Sequence, residues 1–518
     1  MKKSLYSLCL SLIFPFCLTA QNTPKVVVGI VVDQLRSDYI EKFTDLYGEE
    51  GFKRLWKEGL VYPNGSYDFT SPDRSSATAS VYSGTEPCYH GIVGNRYLER
   101  KTLRAKSCVD DDVAQGIRTA DRTAPSKLLV TTIADELKIA TKGSSQVYSV
   151  AAERDMAVLA GGHAADAVLW INDADGQWAS STFYKNVPNW LSSFNRRPGS
   201  QFDFKSIKWT PYFPSGMYKY SVSEDAPKDF CHTFNEKNAR RYKTSAIVND
   251  EVTEVAKTCL MSTSFGRDNA PDMLCIGYYA GNYDHQSEQY SSFELQDIYC
   301  RLDRNIAAII RTVSERVGLE NAVIFLTSTG YTDIHEPAIG KFALPTGEVR
   351  VERCTTLLNM YLGALYGTDN YVEGAFRNEI FLNHKLIEDK QLKMREVLGR
   401  CSEFLGQMSG VKRAYVSAEL VAETGTNAYS NAYNDEHSGD IRLEIAPGWA
   451  VVDERWGEKI WTSRAHIPTP VIFFGGGIKA NYDTTPISVD VIAPTISSLL
   501  KITSPNACAA QPLGQLTK

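Results

Sequence analysis

Asp68 to Asn95 reads DFTSPDRSSATASVYSGTEPCYHGIVGN, and its reading decides the fold. Upstream lies the apolar run Val26-Val-Val-Gly-Ile-Val-Val, which ends directly in Asp33. An uninterrupted apolar strand is the pattern of a parallel strand buried on both faces. A carboxylate at its end, followed by a Ser/Thr-rich turn into a helix, is how many α/β hydrolytic folds present a reactive side chain. Around these two stretches, strands alternate with helical periodicity. Strands are expected at Val26 to Val32, Val147 to Ala151, Met273 to Tyr279 and Ala322 to Thr327. Helices are expected at Asp38 to Glu58, Ser75 to Tyr82, Ser126 to Ala140, Ser245 to Met261 and Ser292 to Val317. The end of the chain adds a strand from Pro470 and a helix over Val489 to Leu500. That order predicts an α/β fold with a doubly wound, mainly parallel sheet. The segments 172–242 and 345–452 break the alternation and read as cap regions inserted into one domain spanning 21–518.

The chain has 518 residues, 43% apolar and 22% charged, the balance of a globular protein with a large core. Met1-Lys-Lys, an apolar run from Leu5 to Leu18 and a small residue at Ala20 form a secretory signal pattern, with cleavage expected after Ala20. The apolar run is too short for a membrane span, so a periplasmic or secreted protein is expected. Cleavage removes Lys2 and Lys3 and takes the formal charge from −6 to −8. No basic stripe offers itself to phosphate backbones, which argues against a nucleic-acid partner. The cysteines that remain stand at 88, 108, 231, 259, 275, 300, 354, 401 and 508, without zinc-ligand spacing. In an oxidising compartment one or more disulfides are expected among them.

The run Ser83-Gly-Thr-Glu-Pro-Cys-Tyr-His-Gly-Ile-Val-Gly-Asn95 resembles the alkaline phosphatase superfamily, which includes type I phosphodiesterases and nucleotide pyrophosphatases. The likeness is greatest to the bacterial phosphate-irrepressible alkaline phosphatases. Val27 to Tyr39, Ala160 to Trp170, Asp297 to Asp303, His437 to Ile441 and Val489 to Leu500 are similar to further family segments in the same order. The resemblance implies phosphoester hydrolysis on two zinc ions that activate a Thr or Ser hydroxyl. It implies Asp and His ligands for the metals, and an Asn with a Lys-x-Arg pair for the phosphoryl oxygens.

Carried over position by position, the frame matches and the chemistry does not. Asp33 retains the first metal-ligand position, and Asn95 retains the oxygen-binding Asn. The nucleophile position falls on Arg74, whose fixed positive charge is neither nucleophilic nor compatible with a neighbouring zinc. Ser75 or Ser76 (or Thr78) is the fallback hydroxyl, although Ser at a helix start more often caps it. The Asp-x-x-x-His pair falls on Asn282 and Gln286, both weak zinc ligands. The adjacent Asp-His pair falls on Thr329 and Gly330, and the late His on Pro468. Asp284, His285 and His466 are the fallback ligands, and Asp333 and His335 read as rim residues. The Lys-x-Arg clamp falls on Glu153 and Asp155, with Arg154 between them, so two cations have become two carboxylates that repel phosphate.

The expectation is a pseudoenzyme without bound metal, in which Arg74 and Arg154 take over the positive charge of zinc and pair with Asp33, Glu153 and Asp155. It would bind a protein or a phosphorylated small ligand. The aromatic residues Trp170, Trp178, Trp190, Trp209 and Tyr212 would serve either as a contact surface or, more simply, as the core of the first cap. The alternative is a phosphomonoesterase or phosphodiesterase with a rearranged two-zinc site.

Overall fold

A computed structural model describes residues 23–185, 187–195, 207–222, 227–235, 238–262, 264–335, 345–462 and 466–516. The signal segment expected at 1–20 lies outside them.

The apolar run forms β1 (Val26–Asp33), buried along its whole length. Its alternate side chains feed two separate cores. Val26, Val28, Ile30 and Val32 join the cluster on one face of the sheet, and Val27 and Val31 the cluster on the other. Gly29 has no room for a side chain, because a Cβ there would lie 2.4 Å from the Phe325 ring. Helix α1 (Arg74–Ser83) follows, then β2 (Val147–Ala151), α2 (Arg154–Gly161), β3 (Asp272–Tyr279), α3 (Glu288–Val317), β4 (Ala322–Ser328) and β5 (Thr469–Gly475). β3 and β4 flank β1 in parallel, pairing Asp33 with Tyr279 and Val32 with Ser328. β2 pairs in parallel with β3, so four strands end on one edge of the sheet. Ligand sites of open α/β sheets lie at that edge.

The 11-stranded sheet is mainly parallel at its centre and antiparallel towards its flanks. β5 runs antiparallel to β4 and to Leu60–Ser66, and Trp178–Ser181 runs antiparallel to Ala167–Ile171. The segment 345–452 carries its own core, built from Val351, Leu358, Leu362, Ile380, Leu398 and Ile441 around a four-stranded sheet.

Several expected elements differ. The helix expected over Asp38 to Glu58 is two short helices, Ser37–Lys42 and Phe52–Glu58, split by a 3-10 turn. The break is held by Asp303, whose carboxylate accepts the Gly48 and Phe52 N–H groups. The helix expected from Ser126 starts only at Ile133, where Thr132 and Asp135 cap it reciprocally. No disulfide joins the described cysteines, which corrects the expectation of disulfides. Cys108, Cys259, Cys275, Cys300, Cys354 and Cys401 are buried and pack as small apolar side chains within the three cores.

The aromatic contact surface is also corrected. Trp170, Trp178 and Trp209 are at most 1% exposed. Trp178 lies on a strand of the main sheet and donates to Glu251, and Trp209 donates to the buried Asp297. Trp190 packs against the same core, while Tyr212 is 38% exposed. No helix among the described residues is long and apolar enough to cross a membrane.

Candidate functional site

The carboxyl-terminal edge of the sheet gathers a charge cluster around Arg74. Asp73 caps α1 by accepting the Ser76 N–H at 2.9 Å, and the Ser76 hydroxyl accepts the Asp73 N–H in return. This capping box fixes Arg74 as the first helical residue, and Gly84, in the left-handed region at φ 69°, ends the helix. The other Asp73 oxygen accepts the Asn95 N–H at 2.6 Å. Glu153 stands at the cap position before α2, and Asp155 in its first turn.

Arg74 donates through Nε to both Asp155 oxygens, at 3.0 and 3.1 Å. Its terminal nitrogens lie 3.7 Å from Asp33 Oδ2 and 3.7 Å from Glu153 Oε2. One guanidinium therefore serves three carboxylates, one at the end of β1 and two at the start of α2. The buried Lys243 adds a second cation, 3.5 Å from Glu153 and 2.5 Å from Asp173. Ser75 donates to Asp155 Oδ2 at 2.5 Å. Asp33 accepts from Thr329 Oγ1 at 2.9 Å and from the Tyr331 hydroxyl at 3.3 Å.

Burial pushes the Asp33 carboxyl up to about 6, against the pull of Arg74, Thr329 and Tyr331. Burial also opposes charge on Asp155, but Arg74, the Ser75 hydroxyl and the Met156 N–H outweigh it and hold that carboxyl below its ordinary range. Arg74 stays charged, because its carboxylate neighbours overcome the cost of burial.

Arg154 does not join Arg74. It turns to Asp110 at 2.7 Å and to Thr123 at 3.1 Å, with Asp121 at 4.0 Å, which corrects its expected pairing with Asp33, Glu153 and Asp155. Residues 153 and 154 are consecutive at a helix start, so their side chains leave in different directions.

The remaining positions are dispersed. Asn95 is partly buried, and its Oδ1 accepts from Arg377 at 3.2 Å. Asn282 is buried with its Oδ1 lacking a partner among the described residues, whereas Gln286 is exposed. Asp284 pairs with Arg241 at 3.0 Å and His285 with Asp333 at 2.9 Å, so these sequence neighbours face different partners. The Asp333 hydrogen bond raises the His285 pKa against its partial burial. Thr329 is fully buried on Asp33, and Gly330 turns beneath Tyr67 at φ 70°. The Pro468 carbonyl accepts the Ser37 N–H, and His466 is exposed. His335 keeps a buried Nε2 without a partner among the described residues. Thr78 donates to the Arg74 carbonyl, a bond within the helix. Lys243, Asp173 and Tyr331 were not legible as site residues. A lone Lys in a polar stretch carries no signal that it is buried.

The donor set differs from the two-zinc centre that the resemblance implies. Among the described residues, one group of three Asp, Glu, His or Cys ligand atoms comes within 4.8 Å of one another. It is Asp68, Glu86 and Asp490, not a group containing Asp33.

The sequence profile of the type I phosphodiesterase / nucleotide pyrophosphatase family matches residues 27–468. The chain is 29% identical over 523 residues to a protein of Myroides odoratus named calcium-transporting ATPase, covering 95% of this chain and 94% of that one. It is 27% identical over 530 residues to the alkaline phosphatase PafA of Elizabethkingia meningoseptica, covering 95% and 94%. The crystal structure of wild-type PafA superposes with a TM-score of 0.83 at 26% identity, over 96% of this chain and 99% of that one.

Proposed function

Because this chain belongs to the type I phosphodiesterase / nucleotide pyrophosphatase family of the alkaline phosphatase superfamily, we propose that it is a pseudoenzyme of that family, which binds or scaffolds instead of hydrolysing phosphoesters. One observation carries the reading: Arg74, at the nucleophile position, is bound at once to Asp155, Glu153 and Asp33. A buried carboxylate must be matched by a cation, and here a guanidinium does what a metal does in the active members. Both Asp33 oxygens are engaged, Oδ1 by Thr329 and Oδ2 by Tyr331 and the Arg74 charge, and the amides at 282 and 286 do not replace the missing charge. Two zinc ions do not fit this donor set.

The charge balance points the same way. Among the described residues Asp33, Glu153, Asp155 and Asp173 pair with Arg74, Lys243 and the exposed Arg240, four carboxylates to three cations, where a phosphoryl group needs an excess of cations. A protein partner therefore suits the site better than a phosphorylated small ligand. The signal pattern at 1–20 supports export to the periplasm or beyond the cell.

The alternative, a phosphomonoesterase or phosphodiesterase with a rearranged site, has one contact in its favour: Ser75 donates to Asp155 at 2.5 Å, as a nucleophile does to its base. Arg74 holds that carboxylate below its ordinary range, however, which makes it a weak base. Assays of p-nitrophenyl phosphate and bis-p-nitrophenyl phosphate with added zinc test the choice. The proposal expects no turnover. Zinc-dependent turnover that Ser75→Ala abolishes would establish the alternative.

A further inference from the structure

Two carboxylate clusters in this chain are built on opposite terms. Around Arg74 every carboxylate has a cation. In the second cluster, Asp68 stands on the loop before α1, Glu86 just after α1, and Asp490 ahead of the terminal helix Ile492–Leu500. One oxygen from each lies within 4.8 Å of the other two. The charges acting on Asp490 are those of Glu86 and Asp68, both negative. Like charges gathered this closely at a buried position are costly without a counter-ion.

The arrangement is graded from floor to rim. Asp490 is 4% exposed, Glu86 is half-buried and Asp68 is exposed. Asp490 accepts from the Ser488 hydroxyl through Oδ2 at 3.2 Å, while its Oδ1 is buried and has no hydrogen-bond partner among the described residues. Beside the cluster, Asn431 donates to the Asp68 carbonyl at 2.8 Å and keeps its own Oδ1 buried and without a partner among the described residues. A buried carboxyl with one oxygen lacking a donor, gathered with two more carboxyls, is relieved by a proton, which the raised Asp490 pKa of about 8 favours, or by a cation bound in its place.

We propose that Asp490, Glu86 and Asp68 bind one calcium ion, with Asp490 as the buried anchor and water completing the shell on the open Asp68 side. The span allows one ion: oxygens that share a calcium ion, each about 2.4 Å from it, lie at most about 4.8 Å apart, a bound that all three pairs meet. The donors are all hard carboxylate oxygens, with no imidazole in the set, which selects calcium over zinc. A cation here ties both flanks of α1, the helix that carries Arg74, to the start of the terminal helix.

The test uses the full chain, stripped of divalent ions with a chelator and titrated with calcium chloride in a calorimeter and in thermal melts. One calcium per chain and a calcium-dependent rise in melting temperature are expected. Asp490→Asn should weaken binding by about tenfold or more and remove the thermal response. Its ion-free melting temperature should equal or exceed that of the wild type, since a neutral isostere relieves the repulsion. If that variant fails to fold, Glu86→Gln on the half-buried rim carries the same expectation. A wild-type chain that ignores calcium, a response retained in these variants, or binding of zinc in place of calcium would overturn the assignment. The readout is independent of hydrolysis, so it stands apart from the pseudoenzyme question.

Discussion

Arg74 Nε donates to both oxygens of Asp155, at 3.0 and 3.1 Å, and joins the first turn of α1 to the first turn of α2 across the edge of the sheet. The same guanidinium reaches Asp33 and Glu153. A single side chain thus holds together three carboxylates that would otherwise repel one another in a buried place.

Removing it should be costly. Arg74→Ala leaves Asp155 and Asp33, both at least 95% buried, without their cation, and is expected to lower stability by about 3 kcal/mol. Urea unfolding measures it. Adding Asp155→Asn in that background should recover about 1 kcal/mol or more, because the two residues act as one unit.

The elevated Asp33 pKa gives a pH dependence of defined sign. The folded carboxyl titrates at about 6, above the ordinary 3.8, so the folded state holds a proton that the unfolded chain has already released. Stability must therefore fall as pH rises from about 4 to about 6 and level off above, by roughly 3 kcal/mol for a shift of this size. Asp272 is also pushed up to about 6, so the contribution is read as the difference between the wild type and Asp33→Asn. The difference curve should slope over that window, and a flat one would remove the Asp33 assignment.

Restoring a hydroxyl at position 74 should not restore hydrolysis. Arg74→Thr still leaves amides at 282 and 286, Thr329 on Asp33, and carboxylates at 153 and 155. Without converging ligands the hydroxyl has no activator. Assay of that variant with zinc and p-nitrophenyl phosphate is expected to give background rates only.

Asp297 should prove the anchor of the first inserted segment. It is fully buried and accepts from Trp209 Nε1, the Tyr212 N–H and the Tyr218 hydroxyl, each at 2.6 Å, and from Arg301 at 2.8 Å. Asp297→Ala leaves those donors unpaired and is expected to cost about 3 kcal/mol or more and to speed proteolysis within 207–222. Peptide mapping of a timed digest reads the effect.

The parts of this molecule that were legible in sequence are those set by periodicity. The strands at 26–33, 147–151, 272–279 and 322–328 are short, mainly apolar runs, and a doubly wound sheet follows from their alternation with helices. The helix split at Gly48 was hidden, because it depends on Asp303, some 250 positions away in sequence. Arg74 was legible as a charge where the resemblance implies a nucleophile, and its pairing with Asp33, Glu153 and Asp155 was legible as the match that buried carboxylates require. The direction of Arg154 was not legible, because adjacent residues at a helix start diverge and only the fold shows where Asp110 lies. The Asp68, Glu86 and Asp490 cluster was hidden for the same reason: its members come from distant loops.

The central claim is that Arg74 stands in place of metal at the Asp33 centre. Its most direct test is the zinc content of the purified chain after equilibration with zinc and removal of loosely bound ions, for the wild type and for Asp33→Asn. The expected result is no zinc that depends on Asp33. About two zinc ions per chain, lost on Asp33→Asn, would contradict the account and return the protein to the metal-dependent phosphoesterases.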